Sequence, residues 1–530
     1  MREDDTVSAA PLLPHPRRIE FGAGRHPLAD VLASLAEVHD PAVPAEGYRL
    51  RVHGGRGEVR ASGARGFRHA RTTLADVAAV HGAVPDVTVD DAPMLARRGI
   101  IEGFYGEPWS HDERRSALRL AGRLKLNSYV YAPKDDPYHR VRWREPYPDD
   151  ELALLADLAR EGADHGVDVV VALHPAGSMV FSDEAEHDLL AAKARQLLDA
   201  GVPDVALLFD DVPPTPVHAQ DTERFGDDGR ALGEAHALTV RRFGEALTGR
   251  RAGSELLVVP MDYAGVAGSD YRAAFAAGLP DEALVWWTGS DIVVGAITRD
   301  DIDDAAAVFG ERLLLWDNFP VNDFDRGRAF LGPLLGRTAG VEGSALRGAW
   351  SNPMVEYAPG GFGIAAFADW AWNPADYEPA RAARAALRII AGDQAQALAP
   401  LVRTLSSWPP SAPMDAELER LADDSLAGSD AAAADLRTRL EELHALGLVT
   451  TEQEPARSLA PWLRAAADMA AAGLVALDLR DARAGATVAM VEAALTRAET
   501  HHAKVAVDVV PRFARTVAGL QERAVEPADA

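Results

Sequence analysis

The chain has 530 residues, 48% of them hydrophobic and 25% charged, enough material for several packed domains, and this excludes disorder by composition. Its formal charge of −27 disfavours nucleic acid or an anionic membrane surface as partner, because phosphate binding needs clustered Lys and Arg. With no cysteine, disulfides, Cys-ligated metals and a Cys nucleophile are all excluded.

Met1-Arg-Glu-Asp-Asp5 lacks the basic-then-apolar pattern of a signal peptide, and no run reaches the roughly 20 apolar residues of a membrane span. A cytoplasmic location is the expectation. Residues 1–95 read as a small α+β domain. Gly47-Tyr-Arg-Leu-Arg-Val-His53 and Gly57-Glu-Val-Arg-Ala-Ser62 alternate with period 2, and Gly54 and Gly55 supply a turn between them. Phe67 to Val80 carries apolar residues at helical spacing.

Residues 96–375 switch to apolar strands alternating with amphipathic helices, the signature of a parallel sheet with crossover helices. The first strand and its loop are expected over Arg98–Gly106, and the others at Ser128–Lys134, Val167–Leu173, Val205–Val212, Leu256–Val259, Ala283–Trp287, Arg312–Trp316 and Leu346–Trp350. Ser110 and Glu113 are spaced for a capping box opening the first helix. Eight such segments fit a (β/α)8 TIM barrel within an α/β chain. Residues 376–530 turn rich in Ala, Leu, Arg and Glu and read as a helical bundle. In that bundle Ser429 is expected to cap one helix, Pro461 to open the next, and His444, His501 and His502 to be solvated.

Polar residues gather where the barrel strands end, the face on which barrel active sites lie. They are Glu102 and Tyr105, Lys134, His174, Asp210 and Asp211, Tyr263, Thr288, Asn318 and Asp323, and Asn352. With Trp286, Trp287, Trp316 and Tyr105 as aromatic walls, they offer apolar faces to stack on a sugar and polar groups for its hydroxyls. Asp210-Asp211 presents two carboxylates that, as strand neighbours, would point to opposite faces and serve different tasks. Like charges in one low-dielectric site also push one of them towards protonation. Two bland readings stay open: a metal-ligand pair, for which Asp135 and Asp136 are further candidates, and a helix N-cap. Lys134 alone reads as an exposed strand-end lysine, His174 before Pro175 as structural, and Thr288 before Gly289 as a turn residue.

Five motifs in order resemble glycoside hydrolase family 84, which comprises protein O-GlcNAcases and bacterial β-N-acetylglucosaminidases. They are Arg98-Gly-Ile-Ile-Glu-Gly-Phe-Tyr-Gly-Glu-Pro-Trp-Ser110, Tyr131-Ala-Pro-Lys-Asp-Asp-Pro-Tyr138, Leu207-Leu-Phe-Asp-Asp211, Trp287-Thr-Gly289 and Trp316-Asp-Asn-Phe-Pro-Val-Asn-Asp323. The resemblance spans about residues 97–375 and is looser in the flanking regions. It implies retaining exo-hydrolysis of terminal β-linked N-acetylglucosamine through an oxazoline formed by the substrate's own acetamido group, without metal or organic cofactor. By carry-over Asp210 would take the acetamido N–H, and Asp211 would be the acid and then the base. Gly103, Lys134, Asn318, Asp323 and Asn352 would bind hydroxyls or the acetamido group. Tyr263 and Trp316 would wall the acetamido methyl, with Thr288 close by. Pro260-Met-Asp-Tyr263 departs from the family's common Thr-Glu-Tyr but keeps Tyr263. The implied partner is a GlcNAc-containing glycoconjugate, with no nucleic acid and no membrane; oligomeric state is not legible. A hyaluronidase-type endo-enzyme and a non-catalytic glycan-binding scaffold are the alternatives.

Overall fold

The computed structural model describes residues 12–249, 255–483 and 485–525. The Met1-to-Asp5 stretch, on which the signal-peptide expectation rests, lies outside them. No helix among the described residues is long and apolar enough to cross a membrane.

The N-terminal strands β1 (Arg18–Phe21), β2 (Ala36–His39), β3 (Tyr48–His53), β4 (Arg56–Ala61) and β5 (Val87–Asp91) form one sheet in the order β1-β5-β3-β4-β2. The expected hairpin is β3–β4, and Gly54 and Gly55 turn it with positive φ, which glycine adopts without a Cβ penalty. Alternation puts Tyr48, Leu50, Val52, Val59 and Ala61 inward, against Ala70 and Leu74 of the helix Ala64–His81. Buried Lys125 pairs with Asp91 at 3.0 Å, and Asp91 also accepts from Tyr48 and from the Trp372 indole. These bonds tie the small sheet to barrel residues. One compact unit accordingly holds the chain to Phe319 with Leu334–Val355 and Ile364–Ala385.

The barrel strands are β6 (Arg97–Glu102), β7 (Ser128–Tyr131), β8 (Asp168–Leu173), β9 (Asp204–Leu208), β10 (Leu256–Val259), β11 (Ala283–Trp287), β12 (Leu313–Asp317) and β13 (Leu346–Ser351). All eight pair in parallel, and β13 closes on β6. The capping box forms: Ser110 accepts from the Glu113 N–H, and Glu113 accepts from the Ser110 N–H. The axis is filled by Ile101, Val130, Val170, Leu208, Leu257, Trp286, Leu314 and Trp350. Gly99 makes room for Trp350, since a Cβ there would lie 2.5 Å from the Trp350 ring. Trp286 and Trp287 are therefore not sugar walls, contrary to expectation. Strand neighbours point opposite ways, so Trp286 packs on the axis while the Trp287 indole donates to the Gly265 carbonyl at 2.8 Å.

Behind the barrel, Asp369 on the helix Tyr357–Trp372 is buried, accepts from the His15 N–H at 2.6 Å, and has Arg381 only at 4.0 Å. Burial, with nearby Asp376 and against the lowering by the His15 bond, Arg381 and Lys125, pushes its carboxyl from 3.8 up to about 6. A raised folded pKa contributes stability that is complete below the unfolded value and lost as pH rises through about 6. Asp369→Asn should therefore raise stability by about 2–3 kcal/mol above about pH 7 and by almost nothing near pH 4. Thermal melts at the two pH values check this, and an equal gain at both would count against titration as the source.

The second unit comprises Pro320–Pro333, Glu356–Gly363 and Ala386 onward. Its helices include Ala416–Leu426, Asp430–Ala445, Ala456–Arg480, Val488–Ala498 and Val510–Val525. Ser429 caps its helix as expected, accepting from the Ala432 N–H. Pro461, expected to open a helix, lies inside Ala456–Arg480, because the helix starts further back, after Pro455. His501 is not solvated: it meets Asp468 at 2.8 Å with 23% of its side chain exposed. A buried pair, Arg439 with Asp415 at 2.6 Å, joins two helices of the unit.

Candidate active site

Strand β9 ends at Leu208, earlier than expected, and Phe209-Asp210-Asp211 leaves it as a turn. Phe209 is anchored away from the mouth by its N–H on the Val259 carbonyl and by stacking on His236 at 4.3 Å. Asp211 takes φ 54°, a left-handed conformation that short polar Asp tolerates. The two acids diverge through this turn, not through strand alternation. Asp210 is buried and Asp211 is exposed.

Their surroundings differ in the same sense. Lys134, itself buried at 8% exposure, is no surface lysine: its Nζ donates to Asp210 Oδ2 at 2.5 Å. His174 Nε2 donates to the Asp210 main-chain carbonyl at 2.7 Å and lies 3.5 Å from Oδ1. Burial alone would raise the Asp210 carboxyl, but the Lys134 charge, then His174 and the lysine hydrogen bond, hold it well below the usual carboxylate range. Burial also lowers His174, whose Nε2 is placed to donate to that carbonyl. Among the described residues no cation pairs with Asp211. Its Oδ1 accepts from the Tyr263 hydroxyl at 3.1 Å and its Oδ2 from the Tyr105 hydroxyl. Burial, and the hydrogen bond to Asp211, push Tyr105 up to about 12, so both phenols keep their protons as donors.

The other expected residues form a connected wall. Asn318 Oδ1 accepts from the Trp316 indole at 2.9 Å and from Asn352 Nδ2 at 2.8 Å, while Asn318 Nδ2 donates to the Ile292 carbonyl at 2.8 Å. Asn352 Oδ1 accepts from the Gly103 N–H at 3.3 Å. Thr288 behaves partly as the turn residue it resembles, its hydroxyl donating to the Asp291 carbonyl and its N–H to the Tyr263 carbonyl. The Lys134 ammonium lies 5.8 Å from the Trp316 ring centroid, so barrel strands β7, β9 and β12 converge here. Asp323 lies on Pro320–Pro333, which belongs to the second unit, where neighbouring Asn322 donates to Glu356.

Gly103 is where the wall admits no side chain: a Cβ would lie 2.2 Å from Trp316 Cζ2. Gly103→Ala must displace the indole and its bond to Asn318. Activity should fall about 10²-fold, the cost of a small misplacement at a positioned site, with folding preserved. Assay beside a circular dichroism spectrum checks it, and undiminished turnover would show that Trp316 is not held in register by Gly103.

Some residues read differently once placed. Glu102, expected to face the mouth, is wholly buried, bonded to Arg114, Tyr129 and the Trp109 N–H, and so braces the first loop. Asp136 accepts from Tyr131 and Tyr147 hydroxyls and from the Tyr138 N–H, which makes it a loop pin. Among the described residues no three His, Asp or Glu side chains cluster to hold a metal. The reading of single residues did not foresee the ties of Tyr105 and His174 to the acids. The only signal was that both follow a barrel strand.

A family model described as beta-N-acetylglucosaminidase matches residues 98–403, and one for glycosyl hydrolase family 20, domain 2, matches residues 14–92. The Protein O-GlcNAcases of Rattus norvegicus and Mus musculus are each 31% identical over 278 residues, 51% of this chain and 29% of the relative. The chain thus matches less than a third of those relatives' length. The solved structure of CpGH84B aligns with a TM-score of 0.82 at 23% identity, covering 96% of this chain and 99% of that one. A mutant of the Thermobaculum terrenum O-GlcNAc hydrolase aligns with a TM-score of 0.70 at 25% identity, covering 82% and 97%.

Proposed function

The chain belongs to the β-N-acetylglucosaminidase family, glycoside hydrolase family 84, and from that premise we propose that it is a retaining exo-β-N-acetylglucosaminidase working through an oxazoline. One observation carries the reading: of two adjacent carboxyls at the barrel mouth, one is buried on a lysine and the other is exposed under two phenols.

Asp210, kept ionised by Lys134, suits a group that must stay an acceptor. It takes the acetamido N–H, turns the acetamido oxygen onto the anomeric carbon, and stabilises the positive charge that builds as the ring closes. Asp211, facing solvent, gives its proton to the leaving oxygen and later takes one from the water that opens the oxazoline. Tyr105 and Tyr263 hold both oxygens of that carboxyl during these transfers. Tyr263 and Trp316 wall the acetamido methyl with Thr288 beside them. Lys134, Asn318, Asn352 and the Gly103 backbone meet the sugar's polar groups, and the resemblance adds Asp323. A GlcNAc-bearing glycoconjugate is the substrate class, and the cytoplasm is the proposed location.

The test is an aryl β-GlcNAc series in which the N-acetyl is replaced by N-trifluoroacetyl. The parent should be hydrolysed. Withdrawing electrons from the attacking oxygen should lower kcat/KM by about tenfold or more, since each 1.36 kcal/mol on the barrier is a factor of ten. Indifference to fluorination would remove the substrate's nucleophile from the mechanism.

A further inference from the structure

His139 is a fully buried ring beyond the end of β7 that the chemistry above does not use. It sits on the loop that follows Lys134 and grips the end of β8 on both sides of Leu173. Its Nδ1 faces the Ala172 carbonyl at 2.7 Å, and its own carbonyl accepts the His174 N–H at 2.9 Å. His174 passes the hold on, with Nε2 on the Asp210 carbonyl at 2.7 Å. The start of the same loop reaches Asp210 directly, because Lys134 donates to Oδ2. Both grips on Asp210 are therefore tied to each other through His139. Asp136 fastens the tie, its Oδ1 accepting from the His139 N–H at 3.3 Å.

Burial holds both rings below the ordinary histidine range, His139 at about 3. A carbonyl oxygen only accepts, so His139 carries its hydrogen on Nδ1 and His174 on Nε2. His139 Nε2 and His174 Nδ1 are then buried acceptors without a partner within the protein, and the rings meet edge-on at 6.2 Å. A buried acceptor without a donor costs the desolvation of that nitrogen, which a phenyl ring in each place would avoid. Packing alone does not account for two imidazoles here. The hydrogen bond that each donates does.

One atom of Asp210 is left over. Oδ1 is buried and accepts nothing within the protein, with His174 Nε2 at 3.5 Å. Lys134 fixes the other oxygen and His174 fixes the main chain, so Oδ1 keeps one direction. We propose that His174, backed by His139, is a positioning residue that aims Asp210 Oδ1 at the substrate's acetamido N–H. The inference rests on the activity proposed above and adds the pair that sets the direction of its acceptor. A hydrogen bond weakens steeply off line, so a small tilt of Asp210 is enough to spoil it. Asp211 has its own holders in Tyr105 and Tyr263. A slip of the Asp210 carbonyl should thus be felt at the acetamido group rather than at the leaving oxygen.

The experiment is a double-mutant cycle on kcat/KM for aryl β-GlcNAc substrates of differing leaving-group pKa. His174→Phe should lower kcat/KM by about 10–100-fold, the cost of a small misplacement, and equally for good and poor leaving groups. In an Asp210→Asn background it should cost less than about twofold, because residues that act through one another are not additive. His174→Gln, which keeps a donor at similar reach, should recover most of the loss. His139→Phe should show the same non-additivity with a smaller loss. A merely structural histidine would give losses that add. If circular dichroism shows that His174→Phe does not fold, His174→Asn, too short to reach the carbonyl, is read in the same cycle. Additive losses, or a loss that grows with leaving-group pKa, would overturn the positioning alone in an enzyme that hydrolyses aryl β-GlcNAc. So would full activity in His174→Phe. Failure of the wild type on aryl β-GlcNAc would take the proposed activity and the positioning down together.

Discussion

Asp211→Asn should lower kcat/KM by about 10²–10⁴-fold on GlcNAc glycosides with poor leaving groups, while aryl glycosides with acidic phenols keep most of their first step. The amide fits the same space and can still meet Tyr105 and Tyr263, so the fold and the sugar pocket should persist. What is lost is the proton, and only an oxygen that needs a proton to depart should feel it. A plot of log kcat/KM against leaving-group pKa gives the check. Wild type should be shallow and the variant steep. Parallel lines would assign the acid elsewhere.

Asp210→Asn should cost about 10²–10³-fold whatever the leaving group, because its proposed task is the acetamido group and the charge forming there. The two variants are thereby told apart by slope rather than by size. Lys134→Met tests the same carboxylate through its partner. In the wild type Asp210 remains ionised as pH falls, since Lys134 and His174 hold it far below the usual range. Without the ammonium, burial dominates and lifts the carboxyl, so activity that needs the anion should be lost as pH falls through the new, higher value. A kcat/KM profile of the variant should show an acid limb displaced upward from the wild type's. An unmoved limb would mean that Lys134 does not set the Asp210 charge state.

Much of this was legible in the order of residues. Strand alternation in Tyr48–His53 and Arg56–Ala61, the Ser110 capping box and the eight apolar runs are local patterns, and local patterns report local structure. The motif run around Arg98, Lys134 and Asp210 was enough to point to the family. Errors arose where a residue's task depends on what packs across from it. Trp286 and Trp287 looked like walls because aromatic content carries no direction, while Trp286 packs in the barrel core edge-on to Trp350. His501 looked solvated because Asp468 stands 33 positions away. Pro461 looked like a helix start because the turn and a half before it is rich in helix formers that carry no boundary signal of their own.

The sequence by itself determined that two acids leave the fourth barrel strand and that polar groups end the other strands, because a barrel's topology puts all those ends on one face. Only the tertiary structure decided what surrounds each acid. Lys134 lies 76 positions from Asp210 and Tyr105 lies 106 positions from Asp211, and no spacing rule connects them. The left-handed turn at Asp211 sends one carboxyl inward to the ammonium and the other outward to the phenols. A charge's environment is set by what the closed barrel brings within a few ångströms, and adjacency in the chain does not record it.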